Sequence, residues 1–405
     1  MKILLIHNFY QQPGGEDEVF RNEGELLRSK GHSVMEYIRR NDEIRDYGLS
    51  DKVMLCARTV WSQESVKDLR SIIKAKKPDV AHFHNTFPLI SPSAYYACRE
   101  ADVRVIQTLH NPRLICPAAT LYRKGRACKE CLGKKLPWSG VLHACYRQSR
   151  VDTGVVTTML LLHRAIKTWQ NQVDVYIAST EFYKRMFTEA GLSSAKISVK
   201  PHFVPFGTSV THKGSQHYAL FIGRLAPEKG IRTMLDAWNQ LKEIPLKIRG
   251  DGPLQGYVQQ TVSRDGNAIQ LLPRVARSDL SELIRSARFL VWPSEGYYET
   301  FGLVAVEAFA CGVPVIASRI GVMAEIVRDG QTGLHFTPGD SDDLAAKIKW
   351  AWTHRTEMEE MGCNARIEYE AKYTAERNYE MLMEIYDRVH HTAAGTLNDT
   401  VPSGA

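Results

Sequence analysis

Tyr218-Ala219-Leu220-Phe221-Ile222-Gly223-Arg224-Leu225-Ala226-Pro227-Glu228-Lys229-Gly230 is the stretch that decides the architecture. Its first five residues read as a buried strand, Gly223–Gly230 as a turn, and the residues through about Leu241 as a helix. The same order opens the chain. Lys2–His7 reads as a strand, Asp17–Lys30 as a helix ended by Gly31, and Val34–Arg39 as a second strand. Upstream of Tyr218, strands also fit Val80–Phe83, Val103–Leu109 and Val173–Ala178. Downstream they fit Leu246–Arg249, Ala268–Leu271, Phe289–Trp292, Val313–Ala317 and Leu334–Phe336. Short apolar strands alternating with amphipathic helices predict parallel sheets covered on both faces. Because the pattern starts twice, the expected fold is α/β, with two Rossmann-like doubly wound domains facing a central cleft. The break falls near Pro201–Gly214, rich in Pro, Gly, Ser and Thr. The domains are then residues 1–205 and 206–372, with a helix over 373–392 and a loose tail over 393–405.

Composition narrows the class. The chain has 405 residues, 44% apolar and 24% charged, which excludes collagen, coiled coil and a disordered polymer. No run of eighteen apolar residues occurs, and the apolar start is too short for a signal peptide, so a cytoplasmic protein is expected. The net charge of +7 is uneven: residues 1–200 carry 31 basic and 20 acidic side chains, the remainder 21 and 25. Such a basic half attracts phosphates, nucleic acid or an acidic membrane face.

Chemistry concentrates at the strand-to-helix turns of the second half, since ligands of such sheets bind beyond the carboxyl ends of the strands. In Pro293-Ser294-Glu295-Gly296-Tyr297-Tyr298-Glu299-Thr300-Phe301-Gly302-Leu303-Val304-Ala305-Val306-Glu307-Ala308, two carboxylates flank a helix start whose amides, at Gly302 and Leu303, can bind an anion. Taken alone, Glu299 is more simply an electrostatic cap and Glu307 a solvated side chain. Arg224 and Lys229 in the earlier turn alter that reading, because two cations at a first βα turn suit a diphosphate. Gly250-Asp251-Gly252-Pro253 is a turn at another strand end, and Leu271-Leu272-Pro273-Arg274-Val275 can hold a base against its backbone.

Phe221–Gly230, Gly250–Pro253, Leu271–Val275 and Pro293–Gly333, with Glu299 and Glu307 in an E-x7-E frame, resemble the retaining nucleotide-sugar glycosyltransferases of family 4 (glycosyl transferases group 1), which have the GT-B fold. The resemblance extends through most of residues 1–390. It implies that Arg224 and Lys229 bind a donor diphosphate, and that Arg274 and Val275 lie on the donor as well. Glu299 would hold sugar hydroxyls; Phe301, Gly302 and Leu303 would present amides, and Glu307 would bind the ribose. It further implies a UDP- or GDP-sugar donor and a hexose-type sugar passed to a glycan, lipid-linked or small-molecule acceptor. Departure and attack would share one face of the sugar, with no protein nucleophile and no catalytic metal. The final helix would cross back onto the first domain. Asp340-Ser341-Asp342 sits where a helix N-cap is expected rather than a metal clamp.

In the first half, Gly14-Gly15-Glu16 matches the family's glycine turn after the first strand and can face the donor diphosphate or the acceptor. His84 and Asn85 end a strand on the acceptor side. His110 resembles the family's cleft histidine and is expected to contact the sugar and assist catalysis. Many relatives carry Asp after that histidine; here Asn111 follows, which removes a charged role from the position. An insertion over residues 112–147 holds Cys116, Cys128, Cys131 and Cys145, spaced C-x11-C-x2-C-x13-C. Four thiolates satisfy zinc and would give a core-poor loop its folding energy; an iron–sulfur cluster or free thiols are the other readings. Similar insertions occur in a subset of the family. Beside this basic loop, Val155–Trp169 presents Met159, Leu160, Leu162, Ile166 and Trp169, either packed on the core or meeting an anionic membrane that bears a lipid-linked acceptor. Two other functions stay open: a nucleotide-sugar epimerase of the same fold, and a zinc-knuckle nucleic-acid binder, which would leave the second half unexplained.

Overall fold

Ile3, Leu4, Leu5 and Ile6 are all fully buried, the mark of a strand covered on both faces. The structure, a computed structural model, describes residues 1–12, 14–45, 48–205, 217–264, 268–273, 277–297 and 299–395. In chain order its first strands are β1 (Lys2–Phe9), β2 (Ser33–Arg40), β3 (Val80–Asn85), β4 (Arg104–Thr108), the two-residue strands β5 (Tyr122–Arg123) and β6 (Arg126–Ala127), β7 (Val175–Ala178) and β8 (Ile197–Val199). The others are β9 (Tyr218–Ile222), β10 (Leu246–Arg249), β11 (Ile269–Leu272), β12 (Ala287–Trp292), β13 (Val315–Ser318) and β14 (Gly333–Phe336).

The chain divides into two compact units. The first comprises residues 1–119, 129–200 and the chain from Asn378 onward; the second comprises 120–128 and 201–377. The first unit's sheet runs β2-β1-β3-β4-β7-β8, every pair parallel. Its order reverses between β1 and β3, so a crevice is expected at their carboxyl ends. Ile3, Leu5, Phe20, Val80, Ile106 and Ile177 form a core that Leu382, Ile385, Tyr386 and Val389 of the last helix complete.

The second unit repeats the plan as β11-β10-β9-β12-β13-β14, again all parallel, with its reversal between β9 and β12. Phe221, Met234, Trp238, Ile248, Phe289 and Ile316 lie in its core. The small β5–β6 hairpin belongs to this unit by its contacts, although it sits within the cysteine insertion.

Several local expectations shift. The helix expected through Leu241 is Ile231–Trp238, and β8 had no counterpart among the strands read from sequence. The apolar helix beside the insertion is Arg150–Ala165. It buries Met159 and Leu160, while Leu162 and Ile166 face solvent and Trp169 is buried in a separate turn.

Candidate functional site

The reversal between β9 and β12 places two turns side by side. After β9, Pro227–Lys229 form a 3-10 turn and Gly230 takes a left-handed φ of +68° before the helix Ile231–Trp238. A Cβ at Gly230 would run into the Pro293 carbonyl, so only glycine lets this helix start against the end of β12. That closeness brings the Lys229 ammonium onto Glu299 Oε1. The same oxygen accepts from the Ser294 hydroxyl at 2.7 Å and the Trp292 indole N–H at 3.2 Å. Three donors therefore converge on Oε1, and among the described residues no bond to Oε2 is formed. Burial alone would raise the Glu299 carboxyl, but Lys229's charge and the bonds from Lys229, Ser294 and Trp292 hold it below its ordinary value.

Gly302 follows with φ +90°, where a Cβ would enter the Trp292 ring; it caps the helix Leu303–Ala310, whose first amides point out of its N-terminus. The Phe301 side chain is buried between the rings of His202 and Tyr373, which leaves its backbone as its polar surface. Glu307 is buried within the same helix, and Arg224 is exposed in the first turn. Lys229, Glu299, Gly302 and Leu303 are thus gathered at one sheet reversal, whereas Arg274 and Val275 lie outside the described residues.

Three neighbours escaped the sequence reading. Trp292 and Ser294 were legible only as the end of a strand. Tyr122, from the β5–β6 hairpin, donates its hydroxyl to the Pro227 carbonyl at 3.4 Å, and its ring occupies the space a Cβ at Gly296 would need. Burial, then the charges of Glu295 and Glu228, push its phenol up to about 12. Glu295 accepts from the Thr233 hydroxyl, and burial raises its carboxyl.

In the first unit, His84, Asn85, Phe87, Tyr95, Gln107 and His110 border a recess at the carboxyl ends of β3 and β4. His84 Nδ1 lies 2.9 Å from His110 Nε2. Asn85 donates to the Asn8 carbonyl at 2.7 Å and accepts from Phe87 N–H, which ties β3 to β1. Gly14 caps the first helix (Gly15–Ser29), its N–H bonded to Asp17, and Gly15 is that helix's first residue. Asn111 donates to Glu16 at 3.1 Å; burial, against that bond, pushes the Glu16 carboxyl up to about 7.

Cys116 and Cys131 are buried, Cys128 and Cys145 half-buried. Tetrahedral thiolates around zinc stand roughly 4 Å apart. Among the described residues, the set of three His, Cys or carboxylate side chains with ligand atoms within 4.8 Å of one another is Glu23, His82 and His84. Among the described residues, Cys116, Cys131 and Cys145 of the first unit are not a further such set. Asp340 caps the helix Ser341–Thr353 by accepting from the amides of Asp342 and Asp343, as expected.

Comparison with known proteins bears on the family and the fold. The family model described as Glycosyl transferases group 1 matches residues 208–368, and that of Glycosyltransferase Family 4 matches residues 13–206. An uncharacterized glycosyltransferase of Methanocaldococcus jannaschii is 32% identical over 179 residues, 44% of this chain and 50% of that protein. The O-antigen chain mannosyltransferase B of Escherichia coli is 39% identical over 142 residues, 33% of this chain and 36% of the relative. The matches thus span half or less of these curated relatives' length. The crystal structure of Anabaena Alr3699/HepE in complex with UDP-glucose matches with a TM-score of 0.65 at 18% identity, over 96% of this chain and all of that one, a likeness of fold.

Proposed function

Since the chain belongs to the glycosyltransferase class that these two family models describe, with the GT-B fold, we propose that it moves a hexose-type sugar from a UDP- or GDP-sugar to an acceptor hydroxyl with retention. The observation that carries this reading is the Lys229–Glu299 pair beside the Gly302–Leu303 amides. A diphosphate lying over that helix N-terminus meets Lys229 and Arg224. Glu299, its Oε1 saturated by three donors, offers Oε2 to hydroxyls of the sugar, and Glu307 is read as the ribose contact. The bond from the anomeric carbon to the phosphate oxygen breaks as the acceptor oxygen attacks from the same face. The acceptor's proton passes to the departing diphosphate, so no protein nucleophile is needed. His110 is read as a sugar-hydroxyl contact, supported by its place at the end of β4.

Glu299→Gln keeps size and loses charge. Turnover is expected to fall at least a hundredfold, while unfolding temperature changes by a few degrees at most. Full activity in this variant overturns the assignment. UDP- and GDP-sugars are expected to raise the unfolding temperature of the wild-type chain by mass action. Product analysis with donor alone separates transfer from epimerisation.

The acceptor is proposed to be lipid-linked. Leu136, Trp138, Leu142 and Val151 expose 46%, 58%, 50% and 73% of their surface, with Lys134, Lys135, Arg147 and Arg150 close in sequence. Apolar side chains among cations suit an anionic membrane face. No helix among the described residues is long and apolar enough to cross a membrane. The chain is expected to sediment with phosphatidylglycerol vesicles and not with phosphatidylcholine ones; equal partition between the two would discard this acceptor face.

A further inference from the structure

Behind His110 lies a buried polar chain that the proposed chemistry does not use. Lys200, 1% exposed, bonds Glu23 Oε2 at 2.8 Å and the Asn378 side-chain oxygen at 3.1 Å. Glu23, on the first helix, turns its other oxygen toward His82 Nδ1 at 3.2 Å and His84 Nε2 at 3.5 Å. His84 Nδ1 in turn meets His110 Nε2. The groups come from the first helix, β3, the end of β8, the residues after β4 and the last helix, all within the first unit.

The trio Glu23, His82 and His84 has the composition of a metal site, and Glu23 Oε1 and His84 Nε2 face each other without a formed hydrogen bond, but a cation is already in place. The Lys200 ammonium already supplies the positive charge against Glu23. His82 is held on both nitrogens, Nδ1 by the Tyr386 hydroxyl at 2.8 Å and Nε2 by the Thr108 hydroxyl at 2.7 Å. A buried ammonium requires an anion beside it, so Glu23 is the carboxylate. A carboxylate repels a nitrogen lone pair and attracts an N–H. His84 therefore carries its proton on Nε2, toward Glu23, and its Nδ1 is the acceptor. A doubly protonated His84 would add a second buried cation beside Lys200 against the single Glu23 charge. Of the other ionisable groups near it, His82 is held as described and His7 on β1 faces Asp17 through its Nε2 at 2.7 Å. With His84 Nδ1 accepting, His110 must donate from Nε2.

We propose that Glu23, acting through His84, is a positioning residue that locks His110 as the Nε2–H tautomer and so places its acceptor lone pair on Nδ1. The inference rests on reading His110 as a substrate contact: a hydroxyl of donor or acceptor is then met as a hydrogen-bond donor, at one ring atom and in one orientation. A histidine with the opposite tautomer would present a donor at the same atom and reject that hydroxyl's proton.

The test is nitrogen NMR of the full chain labelled with 15N-histidine at neutral pH, with His110 identified by the signals lost in His110→Asn. A pyrrole-type Nε2 and a pyridine-type Nδ1 are expected in the wild type; the reverse pattern, or an imidazolium, overturns the proposal without need of any variant. In Glu23→Gln the amide can donate toward His84, so His110 is expected to move toward the Nδ1–H form. Turnover should then fall roughly 10–100-fold while the donor's KM changes less than twofold, and Glu23→Asp should recover part of the loss. Unchanged kcat with a switched tautomer also overturns it. A wild-type chain that transfers no sugar would sink the proposed function and leave the tautomer standing; an active enzyme with Nδ1–H at His110 would sink this inference alone.

Discussion

Glu16 and Glu299 are two carboxyls whose surroundings drive them in opposite directions. Glu299 has three donors on one oxygen, one of them a cation, and stays ionised; at Glu16 burial, helped by Asp17, outweighs the Asn111 amide, Arg113 and Tyr10, and its carboxyl rises to about 7. The consequences for stability have opposite signs. Between pH 4.5 and about 7 the folded chain keeps a proton on Glu16 that the unfolded chain has released, so Glu16 makes stability fall as pH rises through that window, by about 3 kcal/mol in all. Glu299 contributes stability above its unfolded value and loses it only as pH drops through its lowered folded one. Glu16→Gln is therefore expected to flatten the decline in unfolding temperature between pH 5 and 7 without altering the acid limb below. An unchanged slope would show that the Glu16 proton is not held.

At the scale of elements, β1, β3, β12 and β13 were legible because nearly all their residues are buried and need no alternation. β8 was not, being three residues long with only Ile197 buried. The second unit's site was legible for a similar reason: Lys229, Glu299 and Gly302 sit at turns whose residue types already carry the chemistry. The convergence on Oε1 was not, because it depends on the Trp292 ring lying under Gly302, a contact no spacing announces. The Lys200–Glu23 pair was hidden further, its partners being 177 residues apart. Gly302→Ala tests the local geometry. The substitution sets a methyl against the Trp292 ring at a φ that L-residues resist, so it is expected to destabilise the second unit by about 2 kcal/mol or more and to weaken nucleotide-sugar binding. Faster hydrogen exchange over residues 289–303 would report it; wild-type exchange there would show that the ring yields.

The first unit is assembled from distant stretches of chain. Leu382, Ile385 and Tyr386 supply part of its core, Tyr386 bonds His82, and Asn378 bonds Lys200. Ending the chain after Thr374 is expected to leave the second unit protected against proteolysis while the first unit is digested, because the Lys200–Glu23 pair and the β1 core would then face water. Equal resistance of both would show that the last helix is an ornament of the first unit. Synthesis proceeds from the other end. When residues 201–377 leave the ribosome, nearly everything the second unit needs has been made, whereas the earlier-born unit must wait, with the apolar flank of β1 uncovered, for the codons that follow Arg377. Of these two units the one begun first is thus the one completed second, and a stop codon placed just after Arg377 would orphan the domain furthest from it.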